Sequence, residues 1–232
     1  MKLTNPFSKL HIKFREPVTL PKIIPLLTVE TLLKTIYNYH NSVQTTYRRK
    51  KVLQDLAIME LLFSTGMRIS ELCSLKQSNV DLVTYTIRIY GKGSKERQIQ
   101  IGNTDVIKIL KKYQAEYKTS IQKQGNFFSK TNGEPVSDQS IRRMIKKYSS
   151  LAGIDMHITP HMFRHTFATS LLEADVDIRY IQEILGHSSI SITEIYTHVA
   201  TAKQLDIMRN KHPRKDFNED KLLLSSTIHM GD

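Results

Sequence analysis

The chain has 232 residues, 40% of them hydrophobic and 24% charged, the composition of a folded domain with a buried core and not of a disordered tail. Lys and Arg total 34 against 22 Asp and Glu, and the net charge of +12 points to a polyanionic partner, nucleic acid or an anionic membrane surface. No apolar run approaches the roughly 18 residues that cross a bilayer, Lys2, Lys9 and Lys13 break up any signal-peptide core, and the single cysteine, Cys73, excludes an intrachain disulfide or a multi-cysteine zinc finger.

A soluble, cytoplasmic protein is expected. Residues 1–27 hold Pro6, Pro17, Pro21 and Pro25 among basic and apolar residues, so they read as an extended arm or linker. A helical pattern starts at Thr28 with Val29, Leu32, Leu33 and Ile36. Polar and basic residues 41–51 separate it from a second helix carrying Leu53, Leu56, Ala57, Leu61 and Phe63, which Gly66 ends as a C-terminal cap. Residues 86–90 and 97–101 alternate on either side of a glycine-rich turn and predict a β-hairpin. Helical patterns follow over 104–123, 138–152, 160–174, 177–185 and 200–210. The fold class is therefore α+β, mostly α, with one small antiparallel β-sheet. Residues 214–232 read as a loosely attached tail.

Several segments carry chemistry. In Thr159-Pro-His-Met-Phe-Arg-His-Thr-Phe167, Thr159 reads as an N-cap and Pro160 as the first helical residue. His161, Arg164 and His165 fall at i, i+3 and i+4 on one face, with Phe163, Phe167 and Leu171 expected roughly opposite. The first turn of such a helix favours an anion; a buried helix with capping histidines is an equally good account. A zinc site at His161 and His165 is a weaker account, because no neighbouring Glu supplies a general base. Gly186 ends the 177–185 helix, putting His187 in the following turn, and Ser191 with Glu194 forms a capping-box pattern just before Tyr196. Upstream, Arg68 opens a short helix after Gly66, with a solvent-facing salt bridge to Glu71 as its blander role. Lys92 and Lys95 sit on the hairpin turn, whose GKGSKE string lacks the spacing of a phosphate-binding loop.

Taken in order, Arg68, Lys92, His161-x-x-Arg164, His187 and Tyr196 resemble the active site of the tyrosine recombinases, the phage integrase family, with the bacterial Xer-type enzymes nearest in pattern. The strings TGMRISEL, GKGSKER, HMFRHTFAT, LGH and YTHVAT are similar to family boxes. Each string alone is a weak signal; six positions in order are a strong one. The resemblance implies a catalytic domain over 28–213, preceded in residues 1–27 by a remnant of the interdomain segment and by no complete core-binding domain.

It also implies a reaction. The hydroxyl of Tyr196 attacks a DNA phosphodiester, forming a 3′-phosphotyrosyl link and freeing a 5′-hydroxyl that rejoins a new strand. Arg68 and Arg164 clamp the non-bridging oxygens, His187 adds a hydrogen bond, His161 is the candidate general base and Lys92 the candidate general acid. His165 supports the site. No metal, cofactor or ATP is expected. The implied partners are double-stranded DNA and further copies of the chain (a tetramer on DNA), with a related full-length recombinase as a possible companion and no membrane. Lys95, Arg97, Arg142, Arg143, Lys146 and His165 are the further candidate DNA contacts, while the basic groups at 48–51, Lys111, Lys112 and Lys147 read as phosphate contacts or solvated faces. Leu222 to Leu224 in the tail are candidates for docking into a neighbouring subunit, as the C-terminal segment of Xer-like enzymes does. Two rival activities share the pattern in part: a type IB topoisomerase, and a non-catalytic DNA-binding remnant that modulates a full-length recombinase. A helix-turn-helix regulator would explain the charge but not the ordered set.

Overall fold

The computed structural model describes residues 22–91, 96–130 and 134–186. The described elements are α1 (Leu26–Ser42), α2 (Thr46–Thr65), α3 (Ile69–Cys73), β1 (Val80–Asp81), β2 (Thr86–Tyr90), β3 (Glu96–Gln100), α4 (Thr104–Glu116), α5 (Lys118–Gln124), α6 (Asp138–Leu151), α7 (Pro160–Glu173) and α8 (Ile178–Leu185). None of these helices is long and apolar enough to cross a membrane. The class is the mostly helical α+β one that the sequence patterns predict.

Helix α2 is the axis of the fold, in contact with α1, α3, α4 and α7. Every residue from Val52 to Leu62 is buried, so this helix has no solvent face over three turns. Three of those residues are polar, and each meets a tyrosine from a different surrounding helix. Glu60 Oε1 accepts from Tyr37 of α1 at 2.7 Å. Gln54 Nε2 donates to Tyr113 of α4 at 3.3 Å and to the Ser129 carbonyl at 2.6 Å. Asp55 Oδ2 accepts from Tyr148 of α6 at 3.0 Å, and Lys51 reaches its other oxygen at 3.1 Å. A buried polar atom without a partner is costly, so the three tyrosine bonds fix how α2 is rotated against its neighbours.

The sheet is antiparallel in the order β1-β2-β3, with Thr86 opposite Gln100 and Tyr90 opposite Glu96. Ile87, Ile89 and Ile99 point into the core. The third strand, β1, is two residues long and too short for alternation to reveal it. The other differences have local causes. Helix α2 begins at Thr46, so much of the basic stretch at 41–51 is helical, as straight-chain basic residues allow. The predicted helix over 104–123 is two, broken at Tyr117 (φ −105°, ψ 10°). That ring is buried against Tyr113 at 4.6 Å between centroids, and its hydroxyl donates to the Lys50 carbonyl. No Gly or Pro signals the break; packing imposes it. Residues 22–25 run extended into α1, which starts two residues before Thr28. There the Ile24 N–H donates to Thr166 Oγ1 on α7 at 2.8 Å. The patterns at 191–196 and 200–210 and the tail at 214–232 lie outside the described residues.

Tyr148→Phe removes the hydroxyl donor from the buried Asp55 carboxylate without changing ring packing. It should lower the unfolding free energy by about 1–3 kcal/mol in urea titrations; an unchanged midpoint would show that the Asp55 contact contributes nothing.

Candidate active site

The end of α2 positions the first arginine. Gly66 adopts φ +59° as the αL cap, and a Cβ there would lie 2.6 Å from Phe167 Cδ1 and 3.0 Å from Leu185 Cδ2. Only glycine lets α2, α7 and α8 converge this closely. Two residues later Arg68 opens α3. Its N–H donates to Glu71 Oε2 at 2.7 Å, and its Nη1 to Glu71 Oε1 at 3.0 Å. The Arg68 side chain keeps 36% of its surface exposed, whereas that of Glu71 keeps 6%. The salt bridge anticipated from sequence is present, but its acidic half is buried and not solvent-facing.

Arg164 comes to the same place from the second turn of α7. It is 6% exposed, with Nη1 donating to the Gly66 carbonyl at 2.8 Å and Nη2 to the Leu185 carbonyl at 2.7 Å. It thus closes the C-terminal carbonyls of α2 and α8, where a cation is favoured. Burial pushes its guanidinium down to about 9, with Arg68 and Arg97 pressing the same way against the pull of Glu71. Arg164 does not oppose Phe167 and Leu171 as expected from sequence. At about 100° per residue those positions fall within about 60° of it, on the same inward side.

Arg97 of β3 requires a correction. It was expected to contact DNA, yet its side chain is 8% exposed and grips Glu71 with both arms, Nη1 to Oε1 at 2.9 Å and Nη2 to Oε2 at 2.7 Å. Its Nε donates to the Ile184 carbonyl at 2.8 Å. Alternation along β3 carried the signal, because Arg97 shares the inward face of Ile99. Burial by itself would raise the Glu71 carboxyl. The forked bond from Arg97 and the backbone and side-chain bonds from Arg68 outweigh burial and hold it below the ordinary carboxylate range. Two guanidiniums therefore bond one carboxylate, and that of Arg164 lies within its electrostatic reach.

Beside them lies a cleft of about 640 Å³ whose polar lining is Lys22, His157, Thr159, His161 and His165. No carboxylate among the described residues lines it. His161 is exposed and His165 half-buried. The His165 imidazole is held below its ordinary pKa by burial first, then by His161 and Arg164. Thr159 is the N-cap of α7 and Pro160 its first residue, as predicted, but the Thr159 side chain makes no capping bond. Lys22 and His157 joined the cleft without a sequence signal, because a loop and the extended segment before α1 bring them there. No three His, Cys, Asp or Glu side chains among the described residues are grouped to hold a metal ion.

The remaining candidates divide. On α6, Arg142 pairs with Asp138, Arg143 reaches the Gln139 carbonyl at 3.4 Å, and Lys146 is exposed. Lys147 instead lies over the rings of Tyr39 and Tyr148 at 4.7 and 4.5 Å. Lys92, Lys95, His187 and Tyr196 lie outside the described residues.

Comparisons with known proteins converge on one family. Residues 28–203 match the model of the phage integrase family. A tyrosine recombinase from Agathobacter rectalis is 64% identical over 216 residues, covering 93% of this chain and 71% of that protein. Among solved structures, the XerA recombinase superposes with a TM-score of 0.66 at 29% identity, covering 93% of this chain and 68% of that one. The XerH site-specific recombinase bound to its difH substrate in a pre-cleavage complex gives a TM-score of 0.66 at 25% identity, covering 83% of this chain and 55% of that one.

Because its folded-state pKa is depressed, the stabilisation supplied by ionised Glu71 is complete above the ordinary value of 4.5 and is lost as pH falls through the folded-state value. Glu71→Gln should therefore lower the unfolding free energy at neutral pH by about 2 kcal/mol, and the gap from wild type should close on acidification. A gap independent of pH, measured by chemical denaturation from pH 7 downward, would refute the charged role of Glu71.

Proposed function

The chain belongs to the phage integrase family, and from that premise we propose that it is a tyrosine site-specific recombinase, cutting and rejoining double-stranded DNA through a 3′-phosphotyrosyl intermediate. The observation that carries the reading is the grouping of Arg68, Arg97 and Arg164 around the Glu71 carboxylate, bonded by the first two and within electrostatic reach of the third, next to a histidine-lined cleft with no acidic group among its described lining residues. Three positive charges against one negative leave a local surplus of two, which a phosphodiester anion offsets in part and the further charge that grows on it in the transition state offsets more fully. Planar guanidinium donors suit its non-bridging oxygens, and the partly buried setting strengthens each contact.

In this reading Arg68 and Arg164 hold the scissile phosphate and stabilise the charge that grows on it as Tyr196 attacks. A phenol with an ordinary pKa of about 10 has to lose its proton as the O–P bond forms. His161, exposed in the cleft, is the assigned acceptor, and His165 holds it in place. Lys92 protonates the departing 5′-oxygen, so the proton lost by the phenol is matched by one gained at the leaving group. His187 follows Gly186, where α8 ends against Arg97 and Arg164, and supplies a further hydrogen bond. Rejoining is the reverse reaction on a new 5′-hydroxyl, and the phosphotyrosyl link conserves the energy of the broken ester.

Lys95, Arg142, Arg143 and Lys146 are assigned to the DNA backbone, where contacts orient the duplex without reading its sequence. Residues 28–213 form the catalytic domain, acting in the bacterial cytoplasm as copies of the chain assembled on DNA, four in the full complex.

A nicked duplex, selected for binding from a random-sequence pool, should trap a covalent protein–DNA adduct with the wild type. Tyr196→Phe should abolish the adduct while leaving affinity intact, and adduct formation by that variant would refute the nucleophile. Arg164→Gln should slow trapping by about 100- to 1000-fold.

A further inference from the structure

The two oxygens of Glu71 receive four donors: Oε1 takes Nη1 of Arg68 and Nη1 of Arg97, while Oε2 takes the Arg68 N–H and Nη2 of Arg97. An ionised carboxylate has about four acceptor sites, so this one is filled. Two of the four come from the Arg97 fork, and the Arg68 guanidinium makes a single bond to Glu71. Two features keep Arg97 where it is. Its Nε is tied to the Ile184 carbonyl at 2.8 Å. Gly186 provides the space, since a Cβ there would stand 2.9 Å from both Cδ and Nη1 of Arg97.

We infer that Arg97 is a positioning residue for the cleavage reaction: by filling Glu71 it keeps the Arg68 guanidinium out of a forked carboxylate pair and available to a DNA phosphate. The inference rests on the phosphate clamp proposed above. The physical reason is competition between two anions for one fork. A buried carboxylate missing two of its donors attracts the nearest guanidinium, and Arg68 is covalently three residues away. A forked Arg68–Glu71 pair would withdraw the donors that a phosphate needs. Arg97 also joins three segments at one point, β3, the start of α3 and the end of α8. The strand that leads out of the Lys92 hairpin is thereby held to the carboxylate that governs Arg68.

The test is a double-mutant cycle on the full chain, read as the salt dependence of affinity for a short random-sequence duplex by fluorescence anisotropy. Arg97→Lys preserves the charge and removes the fork, so loss of net charge cannot account for its effect. With Glu71 present, Arg97→Lys should make the slope of log affinity against log salt shallower by about one, the loss of one phosphate contact. In the Glu71→Gln background the same substitution should leave the slope unchanged, because a neutral amide no longer captures Arg68. Arg68→Gln serves as the reference and should also lower the slope by about one. A reference slope that stays at the wild-type value overturns the clamp and this inference with it. A shallower reference combined with an unchanged Arg97→Lys slope, or with equal losses in both backgrounds, overturns the role of Arg97 and leaves the clamp standing. Thermal melts by circular dichroism confirm folding, and Arg97→Gln is read through the same cycle if Arg97→Lys does not fold.

Discussion

The Glu71 carboxylate, almost wholly removed from solvent, is bonded to the guanidinium groups of Arg68 and Arg97 and lies within the electrostatic reach of a third, Arg164. Without it, three like charges would share a half-buried volume with no neutralising carboxylate bonded to Arg68 and Arg97. With it the cluster remains positively charged, enough to attract an anion and not so much as to drive the elements apart. The Gly66, Ile184 and Leu185 carbonyls complete the balance, because helix C-termini offer partial negative charge that no helical N–H consumes. The architecture thus leaves a positive surplus to be offset from outside, the role assigned to the DNA phosphate.

Such a cluster needs rigid support, since an error of about 1 Å at a reacting centre is expensive in rate. The support comes from α2. Its buried polar residues are held by tyrosines from α1, α4 and α6, which leaves it little freedom to rotate or slide. Its last residue delivers the chain to Gly66, where contact with Phe167 and Leu185 brings the ends of α2 and α8 against α7. A fold that buries Gln54, Asp55 and Glu60 in the middle of its central helix places unusual weight on geometry, because each must meet its partner or be left unsatisfied.

Much of the fold could be read from local pattern. The hairpin followed from alternation and from a turn rich in glycine, the ends of α2 and α8 from Gly66 and Gly186, and the start of α7 from Thr159-Pro160. Elements fixed by contact rather than pattern were harder to read: the two-residue β1, the break at Tyr117, and the burial of α2 on every side. Of the candidate site, Arg68 and Arg164 could be singled out in the sequence and the structure brings them to one place, whereas Lys92, His187 and Tyr196 lie outside the described residues. Where the charges of Arg97 and Glu71 would go was not legible, since a basic strand residue near a basic hairpin reads as a surface contact until its partner is known.

The amino-acid order determined which chemical groups are present, which helices and strands carry them and where the chain turns, because propensity, capping and periodicity act over a few residues. Only the tertiary structure decided that Arg97 turns inward to a carboxylate 26 positions away, that Arg164 spans the ends of two helices, and that Lys22 and His157 share a cleft with His161 and His165. Those outcomes depend on burial and on ion pairs between distant segments, and the energy of a charge is set by what surrounds it in space, which no local stretch of sequence specifies.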